Sequence, residues 1–260
     1  MAYYNRRSLL INTLQSIAKS KHKDFEVILV DDASVLSERV EDLVGEFPFL
    51  KIIRLERTDK WYTNCCIPYN IGIAQAKGNI VMIQNPECLH TLDILSYVNE
   101  NINDQLFLSM GAYACSKVST EVLKAKKADP YFFMKSLPQI TFNGSQGWYN
   151  HSKYRPVFYH FCCALTKKNL DVLGGFDERF AKGIAYDDDE FVTRVQRMGL
   201  TRVIVDEFPV IHQYHSKAEH LAVENYREKH ERNKKLFQEV VLKENLITVN
   251  NSYHGCSFVL

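Results

Sequence analysis

The stretch Phe25-Glu26-Val27-Ile28-Leu29-Val30-Asp31-Asp32-Ala33-Ser34 decides the class of fold. Its β-branched apolar run has the profile of a strand buried on both faces of a parallel sheet. It ends in two carboxylates, and in open α/β sheets ligands bind at the carboxyl ends of strands. Ahead of it, Arg7 to Ser20 carries Leu10, Thr13, Leu14 and Ile17 on one helical face. Behind it, Ser34 is placed to cap a helix whose apolar face is Leu36, Val40, Leu43 and Val44. Lys51 to Leu55 reads as a second strand and Ile67 to Lys77 as a helix stopped by Gly78. Asn79 to Ile83 reads as a third strand, ending in Gln84-Asn85-Pro86-Glu87. This alternation predicts an α/β protein with a doubly wound parallel sheet. Two acidic groups, Asp31-Asp32 and Glu87, then share the carboxyl ends of strands. Either group alone suits a turn, and their joint placement is the more informative observation.

The second half is less regular. Thr91 to Asn101 and Lys117 to Lys127 read as helices, and Leu106 to Cys115 and Phe158 to Thr166 as strands. Between them, Asp129 to Pro156 holds Pro and Gly breakers among aromatics that include Trp148 and Tyr149. It is expected to be a long loop, serving either as a lid or acceptor platform or as a satellite hydrophobic cluster. Gly174-Gly175-Phe176-Asp177-Glu178 forms a turn. Asp187-Asp188-Asp189-Glu190 then opens a helix that runs to Met198 and stops at Gly199. A helix dipole accounts for one or two acids. Four in a row repel one another, so at least one is expected to hold a cation, a metal or a substrate hydroxyl. Thr201 to Asp206 is the last strand, followed by His212 and His215. From Ala218 to about Asn245 the chain is charged and helical, with sparse apolar positions such as Leu221 and Phe237. That pattern fits a solvated helix with one packed stripe, with peripheral membrane contact as the lesser reading.

Composition sets the bounds. With 260 residues, 46% hydrophobic and 24% charged, the chain can bury a large core as an ordinary globular protein. A net charge of +1 gives no global pull toward nucleic acid. No apolar run approaches the ~20 residues that span a bilayer. Seven cysteines, with adjacent pairs at Cys65-Cys66 and Cys162-Cys163 and no Cys-x-x-Cys, suit core thiols in a reducing, cytoplasmic compartment.

Three blocks name a family. Tyr4-Asn5-Arg6 with Glu26 to Ser34 resembles the opening block of glycosyltransferase family 2, the inverting nucleotide-sugar enzymes of GT-A fold. Asn70-x-Gly72-Ile73-x-x-Ala76-x-Gly78 is similar to its second block. Gly174 to Glu178, with Asp187-Asp188-x-Glu190-Phe191-x-x-Arg194, is similar to its third. The resemblance spans about residues 3 to 216. It implies a GT-A fold with a Rossmann-like, mostly parallel central sheet flanked by helices. Residues 1–90 would be the nucleotide-sugar-binding half and 91–216 the acceptor-binding and catalytic half. Residues 217–260 would be a helical C-terminal tail.

The resemblance also implies roles. Tyr4 would pack on the base, and Asp32, with Asp31 as neighbour, would accept from a uracil imide. Arg6, Asn70 and Asn85 complete the expected nucleotide-binding set. Asn85-Pro86-Glu87 occupies the place of the Asp-x-Asp motif, so Glu87 would ligate a divalent metal, Mn or Mg, that bridges the diphosphate. His212 would be a further ligand, with His215 competing for that role. Asp188 matches the catalytic base, and Asp187 stands where the family has Glu. Trp148, Tyr149, Gly175 and Phe176 are candidates for the acceptor site. The implied partners are a UDP-sugar donor and a glycan-type acceptor.

Two departures stand out. Asn85 removes one charge from the metal motif, which weakens metal binding. The family's first strand would precede Tyr4, so the natural chain is expected to continue upstream of Met1. The competing readings are a catalytically impaired sugar-nucleotide or glycan-binding module, which the altered metal motif would mark, and a nucleotidyltransferase. The latter would require a glycine-rich phosphate loop that Asn5-Arg6-Arg7-Ser8 poorly supplies. Absence of Gln-x-x-Arg-Trp argues against a processive synthase.

Overall fold

Strand pairing in the computed structural model, which describes residues 1–126, 128–216 and 223–250, divides the α/β architecture into two sheets. The smaller is all parallel, in the order β1 (Ala2–Tyr3), β2 (Val27–Asp31), β3 (Leu50–Arg54). The larger has six strands. Its path runs β4 (Ile80–Gln84), β8 (Cys162–Thr166), β6 (Leu106–Ala114), β9 (Thr201–His212), β5 (Cys88–His90), with β7 (Gly147–Asn150) on β6. Only β6 and β9 are parallel there; the other pairs are antiparallel. The apolar runs do mark buried strands, but direction depends on how the connections return, which periodicity does not encode.

Helices cover the sheets as their apolar faces require. α1 (Arg7–Ala18) buries Leu10, Leu14 and Ile17 against Val27 and Leu29. α2 (Cys66–Gln75) is buried along nearly its whole length, and a Cβ on Gly72 would stand 3.3 Å from Val30. α3 (Ile94–Asn101) starts at Asp93, whose side chain caps the Ser96 N–H. α4 (Lys117–Lys126), α6 (Lys167–Leu173) and α7 (Asp187–Arg197) follow. The helix expected after Ser34 is replaced by two short 3-10 turns, Leu36–Glu38 and Glu41–Gly45. The Ser34 hydroxyl accepts from the Asn5 N–H at 2.8 Å instead of capping, and Leu36 and Val44 are exposed.

The aromatic segment after Asp129 is not a free loop. It forms α5 (Pro130–Ser136), capped by Asp129, and then β7. Tyr113, Leu123, Met134, Trp148 and Ile211 build a satellite core there. The tail helix is α8 (Tyr226–Lys235), followed by a π-helical turn, Leu236–Val241. It is shorter than its charge pattern suggested, and the expected start at Ala218 and Leu221 lies outside the described residues. Among the described residues, no helix is long and apolar enough to cross a membrane, and six cysteines are free, all but Cys65 buried.

A cavity of about 710 Å³ lies between β2 and β4, lined by Val27 and Ile28 on one side and Ile80 and Met82 on the other. The Met1 ammonium donates to the Ile28 carbonyl at 2.8 Å at its edge.

Candidate active site

The first turn of α7 presents four acids, and each has a separate partner. Asp187 accepts from Asn64 Nδ2 at 2.8 Å and from the Cys65 thiol at 3.6 Å. Asp188 Oδ1 meets His160 Nδ1. Asp189 accepts from the Tyr159 hydroxyl at 2.8 Å. Glu190 pairs with Arg194 one turn on. Partners drawn from three parts of the chain relieve the repulsion the sequence posed. Burial, and then the neighbouring Asp188 charge, push the Asp187 carboxyl up. Burial likewise raises Asp189, with the Tyr159 hydrogen bond opposing. Asp187 is buried, while the Asp188 side chain keeps 31% exposure and lines a cleft of about 380 Å³.

That cleft gathers Tyr4, Arg6, Asp32, Asn85, Glu87, Asp187 and Asp188. Several backbones around it hold left-handed angles without glycine: Asn5, Arg6, Ala33, Ala185 and Tyr186. Such angles cost of order 1–3 kcal/mol each and concentrate at functional sites. Asp32 Oδ1 accepts from the Tyr62 hydroxyl and Oδ2 from Lys60 Nζ, both at 2.6 Å, and the Lys60 ammonium sits 5.2 Å from the Tyr4 ring centroid. Asn85 Oδ1 accepts from the Tyr69 hydroxyl at 2.8 Å.

Sheet register builds the second chemical cluster. Cys88 pairs with His212 across β5 and β9, so Glu87, just before β5, meets the end of β9. Glu87 Oε1 lies 3.3 Å from His212 Nε2, from His215 Nε2 and from Arg6 Nη1. Burial alone would push this carboxyl up. Hydrogen bonds from the two histidines, and the charges of His212 and Arg6, hold it well below the usual carboxylate range. Glu87 Oε2 is buried without a hydrogen-bond partner. A carboxylate with an orphaned oxygen beside two imidazoles fits a divalent cation. His215 stands beside His212 in this cluster, their ligand atoms and that of Glu87 lying within 4.8 Å of one another.

Other anticipated residues lie elsewhere. Asp31 is wholly buried on Arg54 at 2.7 Å. Asn70 is buried too, accepting from the Phe176 N–H at 2.8 Å and donating to the Phe176 carbonyl at 2.9 Å. Phe176 is packed between Tyr69 and Phe191, and the Gly175 carbonyl accepts from Arg194. Trp148, expected as a stacking platform, is fully buried under Tyr113 and donates to Gln139. Its indole belongs to the satellite hydrophobic cluster, the other of the two readings the sequence offered for this segment. Tyr149 remains half-buried, stacked on Phe161 and edge-on to His212 at 5.1 Å. Sequence reasoning missed His160, Lys60, Tyr62, Asn64 and Tyr69. His160 carries no motif of its own; the antiparallel return of β8 beside β4 brings it under α7.

Comparison with known proteins agrees with this architecture. A sequence profile described as glycosyl transferase family 2 matches residues 1–171. Chondroitin synthase of Escherichia coli is 33% identical over 106 residues, which cover 38% of this chain and 15% of that protein. Among solved structures, S. aureus TarS 1-349 in complex with UDP-GlcNAc superposes with a TM-score of 0.61 at 16% identity. The match covers 94% of this chain and 66% of that one. The mannosyltransferase PcManGT from Pyrobaculum calidifontis, in complex with GDP-Man and Mn2+, gives a TM-score of 0.54 at 19% identity, covering 81% and 54%. The chain thus spans a small part of the curated relative and half to two thirds of these structures. At such identities the likeness is one of fold, the GT-A fold.

Proposed function

This chain belongs to glycosyltransferase family 2, and on that premise we propose that it transfers a sugar from a nucleotide diphosphate sugar to an acceptor hydroxyl by a single inverting displacement. One observation carries the reading: Asp188 and Glu87 line the same 380 Å³ cleft, with His212 and His215 behind Glu87. In a single displacement, the acceptor oxygen attacks the anomeric carbon as its proton passes to a carboxylate and the bond to the diphosphate breaks. Asp188 is the base, because it alone of the four α7 acids combines cleft exposure with a polar partner on one oxygen only. Asp187, buried on Asn64 and Cys65, supports the turn.

Glu87, His212 and His215 would hold a divalent metal, Mn or Mg, which neutralises charge developing on the leaving diphosphate. Arg6 beside Glu87 adds a fixed positive charge at the same place. Tyr4 offers a ring for the base. Asp32 accepts beside Lys60, which donates, the complement of the imide N–H and carbonyl of uracil or thymine; this favours a UDP-sugar, with dTDP next. Asn85 would reach a ribose hydroxyl. Residues 1–90 carry the donor side, 91–216 the acceptor side, and 217–260 a tail.

The test is UDP release from UDP-sugars with and without Mn, in wild type, Asp188→Asn and Glu87→Gln. Release that needs Mn, falls by roughly 10²–10⁴ in Asp188→Asn, and demands more Mn in Glu87→Gln is expected. Tight UDP binding with no turnover, unchanged in Asp188→Asn, would make the protein a binding module.

A further inference from the structure

We propose that His160 is a positioning residue that fixes the Asp188 carboxylate for proton abstraction, an inference that rests on Asp188 being the base. The geometry is specific. The Asn85 N–H donates to the Phe161 carbonyl at 3.0 Å, extending the β4–β8 ladder past Cys162 and fixing the backbone next to His160. The His160 ring stands edge-on to Tyr69 at 4.9 Å and 80°, and to Phe176 at 5.0 Å and 74°. Those two aromatic rings stack on each other and leave the imidazole little freedom to rotate. Its Nδ1 meets Asp188 Oδ1, and the His160 backbone N–H points at the same oxygen from 3.4 Å. Among the described residues, these are the polar contacts of Asp188. One carboxylate oxygen is thus held from behind, and the other is left to the cleft.

The imidazole itself is 8% exposed. Burial disfavours its charged form, but the Asp188 charge and hydrogen bond outweigh that and raise its pKa. A donor of this kind does more than fill space. A free aspartate at a helix start sweeps two torsions, whereas a base must stand within about 3–3.5 Å of the oxygen it deprotonates. Misplacement by about 1 Å can cost about a hundredfold. His160 limits that sweep from the turn that leads into β8, while Asp188 itself sits on a helix.

Two substitutions separate orientation from packing. His160→Leu keeps bulk and removes the donor. His160→Asn restores an amide N–H close to the Nδ1 position. With UDP-GlcNAc and Mn as the probe, His160→Leu is expected to lower kcat by roughly ten- to a hundredfold, with donor KM within about threefold and UDP affinity unchanged. His160→Asn is expected to recover most of the loss. In an Asp188→Asn background, His160→Leu is expected to cost nothing further, since the group it orients is gone. An unchanged kcat in His160→Leu, or the same loss in both backgrounds, overturns the proposal. Failure of Asp188→Asn to lower kcat overturns the base assignment instead, so the two are told apart. A readout independent of turnover comes from 15N-histidine spectra. The His160 Nδ1 proton is expected to be protected from exchange in wild type and to lose that protection in Asp188→Ala, and equal protection in both would also overturn it.

Discussion

Replacing Arg194 by Met should destabilise this protein by about 3–5 kcal/mol. The Arg194 side chain has no exposed surface, and its guanidinium donates to both oxygens of Glu190, itself about 1% exposed. It also donates to the Leu173 carbonyl at 2.6 Å and to the Gly175 carbonyl at 2.8 Å. Met preserves much of the apolar stem but none of these donors. Glu190 would be left as a buried carboxyl without its ion-pair partner, already pushed up by burial with Arg194, and less strongly Arg179, opposing. The two carbonyls lose their partner as well, at about 1–3 kcal/mol for each group left unsatisfied. For a chain of this length, a loss of this size lowers Tm by about 10 °C. Urea unfolding followed by circular dichroism measures it directly as a drop in midpoint at constant slope. The double variant Glu190→Leu/Arg194→Met is expected to recover part of the loss, because a buried pair is itself costly to desolvate. A single variant that costs less than about 1 kcal/mol, or a double variant no more stable than the single one, would refute this account. The consequence reaches the site: Arg194 ties the α6–Gly175 turn to α7, whose first turn carries Asp187 and Asp188.

Acid sensitivity should trace in part to His90. Burial lowers its pKa to about 4, with Asp93 opposing, and its Nε2 lies 2.9 Å from Gln84 Oε1. The fold therefore favours the neutral ring. That stability is fully present above the unfolded pKa near 6.5 and is lost as pH falls from there to about 4, about 3 kcal/mol over the full range. His90→Gln should flatten the fall in Tm between pH 7 and 4.5, and an equally steep fall would exclude this cause. Gly183→Ala should loosen the tail. A Cβ there would lie 1.9 Å from Asn233 Oδ1, while the buried Asn233 amide donates to the Phe180 and Ala185 carbonyls at 3.1 and 2.9 Å. A loss of about 2–3 kcal/mol, with faster proteolysis in α8, is expected; wild-type proteolysis would show the close approach to be tolerated.

The amino-acid sequence by itself determined the strands Val27–Asp31, Leu50–Arg54 and Ile80–Gln84, the helices Arg7–Ala18 and Cys66–Gln75, and the placement of acids at strand ends. Apolar runs and their breakers are local, and burial on both faces needs no knowledge of neighbours. It also marked Asp187 to Glu190 as a charge concentration in need of partners, and the family resemblance set His212 beside Glu87. Tertiary structure decided the rest. Strand direction in the larger sheet followed from chain returns, and the expected helix after Ser34 yielded to a hydrogen bond from Asn5. Trp148 became core because α5 and β7 folded over it, which no local pattern distinguishes from an exposed aromatic loop. The partners of the four acids come from Asn64, Cys65, Tyr159, His160 and Arg194, most of them 28 or more residues away along the chain. Such pairings are set by register and crossing of distant elements, so residue spacing could pose the electrostatic problem at α7 while only the packed fold could say how it is solved.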